Sequence, residues 1–296
     1  MSLTLFFKIL RDLRWPLLGA GFLLTLFEGF WVKITDRFAN EVIPAILKSI
    51  PLGDLKTILF TGSGKIFQAI LGGEAVDLSK TGELLSIGWV HPLPQTILMI
   101  WALGRGASAI AGEIERGTME LLVSQPIPRW KIVTTNLIVD LVTIPTLALC
   151  MFLGTYLGTT LVPLNKSLID TTPIDLTPYW RGIVLAVAFA FAMSGVTYAI
   201  SSMGRSRWRV LAWTFGIILA MSILNLLGQL WDTLGPWRPL AIHYYFQPQY
   251  AILKGQWTLP VAGVQVNALY VMLGVATLGY AFALWRFSQR DLPAPL

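Results

Sequence analysis

Between two long apolar runs the chain reads Glu113-Ile-Glu-Arg-Gly-Thr-Met-Glu-Leu-Leu-Val-Ser-Gln-Pro-Ile-Pro-Arg-Trp-Lys131. Its ionic groups Glu113, Glu115, Arg116 and Glu120 crowd into the first turns. Each would cost about 2.5 to 3.5 kcal/mol or more in hydrocarbon, so the segment belongs in water. Leu121, Leu122 and Val123 nevertheless give it an apolar face, which a second protein surface would explain better than solvent does. The chemistry on offer is recognition by charge and apolar contact together. Thr118 is placed to cap a short helix, the three glutamates suit its N-terminal dipole, and Pro126 and Pro128 would stop it.

Other residues with chemical potential form no catalytic set. His91 and His243 stand apart, with no partner at the HExxH spacing of a zinc protease. Cys150 is the one cysteine, so neither a disulfide within the chain nor a cysteine metal cluster is expected. Gly62-Ser-Gly-Lys65 imitates part of a phosphate-binding loop, but Leu59 stands where the first glycine is needed and Ile66 where Ser or Thr is. No nucleotide, cofactor or metal site is expected on this chain. Asn165-Lys-Ser167 has the form of a glycosylation sequon and carries little information. Inside apolar runs, Glu28, Asn136 and Asp140 are candidates for lining a translocation path, because intramembrane polar groups are costly and often functional. Asn136 and Asp140, spaced i, i+4, share one helix face.

The elements that must carry these residues are membrane helices. The chain is 55% hydrophobic and 13% charged, far from the roughly 25% charged content of soluble domains. Six runs reach or approach the roughly 20 residues that cross a bilayer, at about 15–32, 84–103, 132–162, 182–203, 210–231 and 262–285. They lack the alternation of barrel strands, so the fold class is an all-α membrane protein built as one domain over 1–296. Residues 1–14 place Leu3, Phe6, Phe7, Leu10 and Leu13 on one side and Lys8, Arg11, Asp12 and Arg14 on the other, the pattern of an interfacial helix.

Lys and Arg are about twice as dense in 1–14, 104–131, 204–209 and 286–296 as in the alternate segments, led by Arg205, Arg207 and Arg209. That bias puts both termini in the cytoplasm of a multi-pass cell-membrane protein, and it accounts for the net charge of +6 without nucleic acid. Residues 33–83 and 231–260 then lie outside the cell. The former reads as short amphipathic helices broken at Pro51, Gly62 and Gly72-Gly73. The latter reads as an aromatic belt at the lipid headgroups, with Trp231, Trp237, Tyr244, Tyr245, Phe246, Tyr250 and Trp257. Pro145 should bend the third run, and Gly154-Thr-Tyr-Leu-Gly158 offers a small face for close helix contact.

The run from Ala111 to Arg129, with Gly117-Thr118 ahead of Glu120 and Leu122 and then Pro126-Ile-Pro-Arg129, resembles the signature of the ABC-2 family of ABC transporter permeases. An N-terminal interfacial helix, six spans, a long first outer loop and Tyr244-Tyr-Phe-Gln-Pro248 extend the likeness over most of the chain. The resemblance implies an exporter-type permease that pairs with a second permease copy and two copies of an ATP-binding subunit, ATP and Mg being held by that subunit. It also implies that Glu113, Glu115, Arg116, Gly117, Thr118, Glu120, Leu121, Leu122, Ser124, Gln125 and Pro126 form a cytoplasmic coupling helix that contacts the ATPase. Met119 and Val123 stand where Leu is commoner. A secondary transporter would need ion-coupling residues and usually an internal repeat, and an intramembrane enzyme a convergent catalytic set. Membrane lipids are the remaining expected partners.

Overall fold

The computed structural model describes residues 3–42, 44–45, 80–124, 128–162, 164 and 174–290. The helices expected within 46–79, the residues Gly62 to Lys65, Gln125, Pro126 and the sequon at 165–167 lie outside the described residues. Six helical stretches among them are long and apolar enough to cross a membrane: Leu3–Val42, Thr81–Glu115, Arg129–Leu161, Thr177–Met203, Arg207–Leu230 and Ala268–Gln289. The protein is an all-α membrane bundle with a single two-stranded hairpin among the described residues.

Helix α1, Leu3–Arg37, runs unbroken through the segment read from sequence as a separate interfacial helix. Pro16 lies within it, where its missing N–H forfeits one backbone bond without ending the helix. Gly21, Leu24, Glu28, Val32 and Thr35 form its buried stripe, while Trp15, Leu18, Phe22 and Phe30 face outward. After a short helix α2, Thr81–Ser86, the chain enters α3, Pro92–Ala107, where Pro92 starts the helix and His91 Nδ1 accepts from Leu93 N at 3.2 Å. A short helix α4, Thr118–Val123, precedes α5, Arg129–Leu161, and then come α6, Trp180–Met203, and α7, Arg207–Leu230.

Glycines set how closely these helices approach. A Cβ on Gly154 of α5 would lie 2.3 Å from the Thr25 carbonyl oxygen, and one on Gly158 would lie 2.5 Å from Val32 Cγ2. The small face read in the sequence is therefore spent inside the chain, against α1. Helix α6 is the central element, its buried side running from Gly182 to Ser202. At its crossing with the last helix, a Cβ on Gly279 would sit 2.4 Å from the Gly195 backbone.

Residues 231–267 cap the end of the bundle opposite α4. Helices α8, Ile242–Tyr245, and α9, Pro248–Lys254, lead into strands β1, Thr258–Val261, and β2, Val264–Asn267. The intervening Ala262 and Gly263 have φ of 49° and 83°, the two positive values that a tight type I′ hairpin requires. Asn267 then caps α10, Ala268–Gln289, its side chain accepting from Leu269 N at 3.0 Å. The last span thus begins six residues later than its apolar run at 262 suggests, because Val264 and Val266 belong to a strand. The aromatic belt divides likewise: Trp231 and Trp237 are exposed, but Tyr244, Tyr245 and Phe246 pack into the core. The Phe246 ring sits 4.5 Å from that of Phe189 on α6.

Candidate functional site

Helix α3 does not stop at Ala107. It continues through one π turn, Ser108–Gly112, into the helical turn Glu113–Glu115, and ends at Gly117, whose φ of 69° favours glycine. A π turn disturbs the ordinary backbone ladder, and Ser201 of α6 bridges the disturbance. Its Oγ accepts from Ala111 N at 3.1 Å and donates to the Ala107 carbonyl at 3.4 Å.

Glu113, Glu115 and Arg116 bond to neighbouring groups of the chain. Glu113 accepts from both Arg116 and the Thr118 hydroxyl, which also reaches the Glu113 carbonyl at 3.2 Å. Thr118 is thus the first residue of α4, and Gly117 occupies the capping position read for Thr118 from sequence. Glu115 leaves the α4 dipole altogether. Its carboxylate accepts from Ser206 Oγ at 3.1 Å and from Arg207 N at 2.7 Å, so it caps the start of α7. Glu120 alone of the three occupies the first turn of α4.

The apolar face of α4 is also divided. Met119 is 1% exposed, Leu122 and Val123 pack against the core, and Leu121 is 68% exposed. Ser124 is exposed and its Oγ donates to the Leu121 carbonyl at 3.1 Å. Beneath the segment lies a cavity of about 580 Å³, with Lys8 and Asp12 of α1, Arg105, Glu113, Leu122 and Asn136 among its walls. Arg129 donates to the Arg290 carbonyl, and Arg290 donates to the Gly204 carbonyl at 2.8 Å. Both described ends of the chain, α4 and the 204–209 arginines therefore gather at one end of the bundle. Burial, with repulsion from Arg205 and Arg286, lowers the Arg290 pKa.

The three polar residues expected along a path separate into two sites. Asp140 is fully buried: its Oδ1 accepts from Arg105 Nε at 2.9 Å and its Oδ2 from Tyr280 OH at 3.0 Å, with Ser194 Oγ at 3.5 Å. Arg105 Nη2 donates to Asn136 Oδ1 at 3.1 Å. This clasp joins α3, α5, α6 and α10. Glu28 is elsewhere, fully buried, with Oε2 accepting from Thr155 Oγ1 at 3.3 Å. Thr155 lies fifteen residues from Asp140 along α5, about 22 Å at the rise of a helix.

Arg105, Tyr280 and Ser194 were missed from sequence. By sequence Arg105 falls among the loop charges of 104–131, although an Asn-Asp pair on a buried face signals a cation opposite it. Nothing local announces that Ser206 and Arg207 would meet Glu115.

Comparison with known proteins adds one finding. The family model described as ABC-2 family transporter protein matches residues 15–292. No curated protein matches the chain. The match spans nearly the whole bundle, and the chain belongs to the ABC-2 family: it is a membrane permease of an ABC transporter.

Proposed function

We propose that this permease is the membrane subunit of an ATP-driven exporter and that residues 113–124 dock onto a separate ATP-binding subunit, which holds the ATP and Mg. Two permease copies and two ATPase copies would complete the transporter, in the cell membrane, with the termini and α4 in the cytoplasm. The transport subunit supplies coupling, and hydrolysis belongs to its partner.

The observation that carries this reading is the construction around Leu121. A large apolar side chain stands exposed on a short helix that is anchored from three directions: Met119 in the core, Thr118 on Glu113, and Glu115 on the start of α7. Push on such a helix, and α3 and α7 move with it through the π turn and the cap. The clasp eight residues before Glu113 extends the linkage to α5, α6 and α10. Exposed outer faces on α1 and α7 suit lipid and a second permease copy. For the path itself, Asn136 at the wall of the cavity is the favoured one of the three expected residues, Glu28 and Asp140 being enclosed by helices.

Replacing Leu121 by Asp tests the docking. Loss of one buried Leu removes about 1.5 to 3 kcal/mol, a ten- to hundredfold weakening of the complex. The ATPase should then fail to co-purify while the permease still inserts and folds. Leu122 is unsuitable for this test because its side chain packs within the bundle. A cysteine at Ser124 should resist membrane-impermeant maleimide added to intact cells. Full retention of the ATPase by the Leu121 variant would overturn the docking, and rapid labelling at 124 the orientation.

A further inference from the structure

At the end of the bundle opposite α4, a cavity of about 310 Å³ opens between the start of α3, the end of α7 and the α8 region. Its size is at the lower end of small-molecule sites, which run from about 300 to 1,000 Å³. Gln229, His243, Gln247, Asn225, Thr96 and Phe246 are among its walls, and the described lining carries no carboxylate, lysine or arginine.

Several buried polar atoms here have no partner among the described residues: Gln229 Oε1, Gln247 Oε1 and both ring nitrogens of His243. His243 is 9% exposed, wedged 5.6 Å from the Phe189 ring. Leaving such groups unpaired costs about 1 to 3 kcal/mol each, so their accumulation among the residues lining one cavity calls for an explanation. Two amide oxygens accept, and a neutral imidazole presents one donor and one acceptor. Burial lowers the His243 pKa to about 4, which keeps the ring neutral near pH 7.

From this donor and acceptor inventory we infer that the cavity binds a neutral, hydroxyl-bearing ligand of about the size of one sugar or cyclitol ring. A hydroxyl group both donates to the amide oxygens and accepts from the imidazole N–H. An anion would meet three acceptors, and Arg238, the nearby cation, stands outside the described lining with its Nε held by Asn225 Oδ1 at 3.2 Å. A cation would find no carboxylate in that lining. Phe246, Met99 and Leu226 supply the apolar walls that such a ring's carbon face needs.

The ligand's hydroxyls could belong to a free polyol or to a glycolipid headgroup at the membrane surface. The test uses the full chain in phosphatidylcholine nanodiscs, without an ATPase, so its outcome is separate from that of the docking proposal. Saturable binding of tritiated myo-inositol is measured, with octyl glucoside below its micellar concentration, glucose and choline as competitors. We expect displacement by glucose and octyl glucoside and none by choline. Much stronger competition by octyl glucoside than by glucose assigns the site to a glycolipid headgroup, and equal competition to a free polyol. Gln229→Leu and Gln247→Leu should each weaken binding about fivefold, the loss of roughly one hydrogen bond. Thr96→Trp should fill the cavity and abolish binding. The inference is overturned if neither neutral probe binds saturably, if choline displaces as well as glucose, or if folded Gln variants and the filled cavity bind as the parent does.

Discussion

Two carboxyl groups lie fully buried, one on α5 and one on α1 packed against it, and their surroundings are unlike. Asp140 on α5 meets a guanidinium, a phenol and a serine hydroxyl, drawn from α3, α10 and α6. Glu28 on α1 meets Thr155 through one oxygen, while Oε1 has no partner among the described residues. Thr155 is itself shared, because Trp89 Nε1 donates to its hydroxyl at 3.2 Å. A buried charge is tolerated where opposite charge and hydrogen bonds surround it, and Asp140 has both. Glu28 has only a hydroxyl. Asp140 therefore belongs to the frame that holds helices together, and Glu28 to a place where the frame is left incomplete.

The largest expected effect comes from breaking the clasp on one side. Arg105→Leu leaves Asp140 without its cation, and such single removals cost about 3 to 5 kcal/mol. Asp140→Leu should cost a similar amount by stranding Arg105. The pair of changes together should recover most of the loss, since apolar replacement of a whole buried pair is often close to neutral. Unfolding titrations of the four proteins in one detergent give the coupling directly. Additive losses in the double variant would show that the two residues act apart, and the proposed frame would fail.

Hydropathy made the six crossings legible because hydrocarbon demands an apolar run of fixed length, whatever the partners. The charge density at 113–120 breaks those runs, which is why 113–124 stands out as the segment proposed to dock. Arg105 is not legible in the sequence because the apolar run ends near 103 and the next arginine reads as a loop charge, whereas α3 continues to Ala107. Its partner lies 35 residues away and the phenol that completes the clasp lies 140 residues from Asp140. Such meetings depend on which helix faces which. The hairpin at 258–267 was hidden by composition, since valines serve equally as strand residues and as the beginning of a membrane helix. Gly154 and Gly158 were legible as a close face, but their partner on α1 was not.

A smaller effect should follow from trimming the clasp. Tyr280→Phe deletes the hydroxyl that donates to Asp140 and contacts Ser194 Oγ at 2.8 Å, while keeping the ring against Tyr198 at 4.7 Å. Hydrogen bonds between membrane helices average about 0.6 kcal/mol and reach about 1.7. We expect a loss of about 1 to 2 kcal/mol, because the acceptor is a carboxylate. A loss as large as that of Arg105→Leu would mean that the phenol, and not the guanidinium, is what makes Asp140 tolerable.

The smallest effect is expected at the other acid. Glu28→Gln keeps the shape of a side chain enclosed tightly enough that a Cβ on Gly88 would lie 3.0 Å from Glu28 Oε2. The amide oxygen can still accept from Thr155, and no described ion pair is lost, so the change in unfolding free energy should stay within about 1 kcal/mol. Asp140→Asn is the matched control, equally isosteric, and should cost several times more because it leaves the buried Arg105 cation without its countercharge. If the two amide variants destabilise equally, the contrast between a completed and an incomplete site is wrong. If Glu28→Gln is fully stable, transport in proteoliposomes reassembled with the ATPase gives the sharper answer. A stable variant with impaired transport makes the Glu28 carboxyl a working group in the helix pair α1 and α5, where α1 carries so much outward apolar surface. A stable variant with normal transport leaves Glu28 as a packing residue whose acid is dispensable, and leaves Asn136 as the favoured path residue of the three.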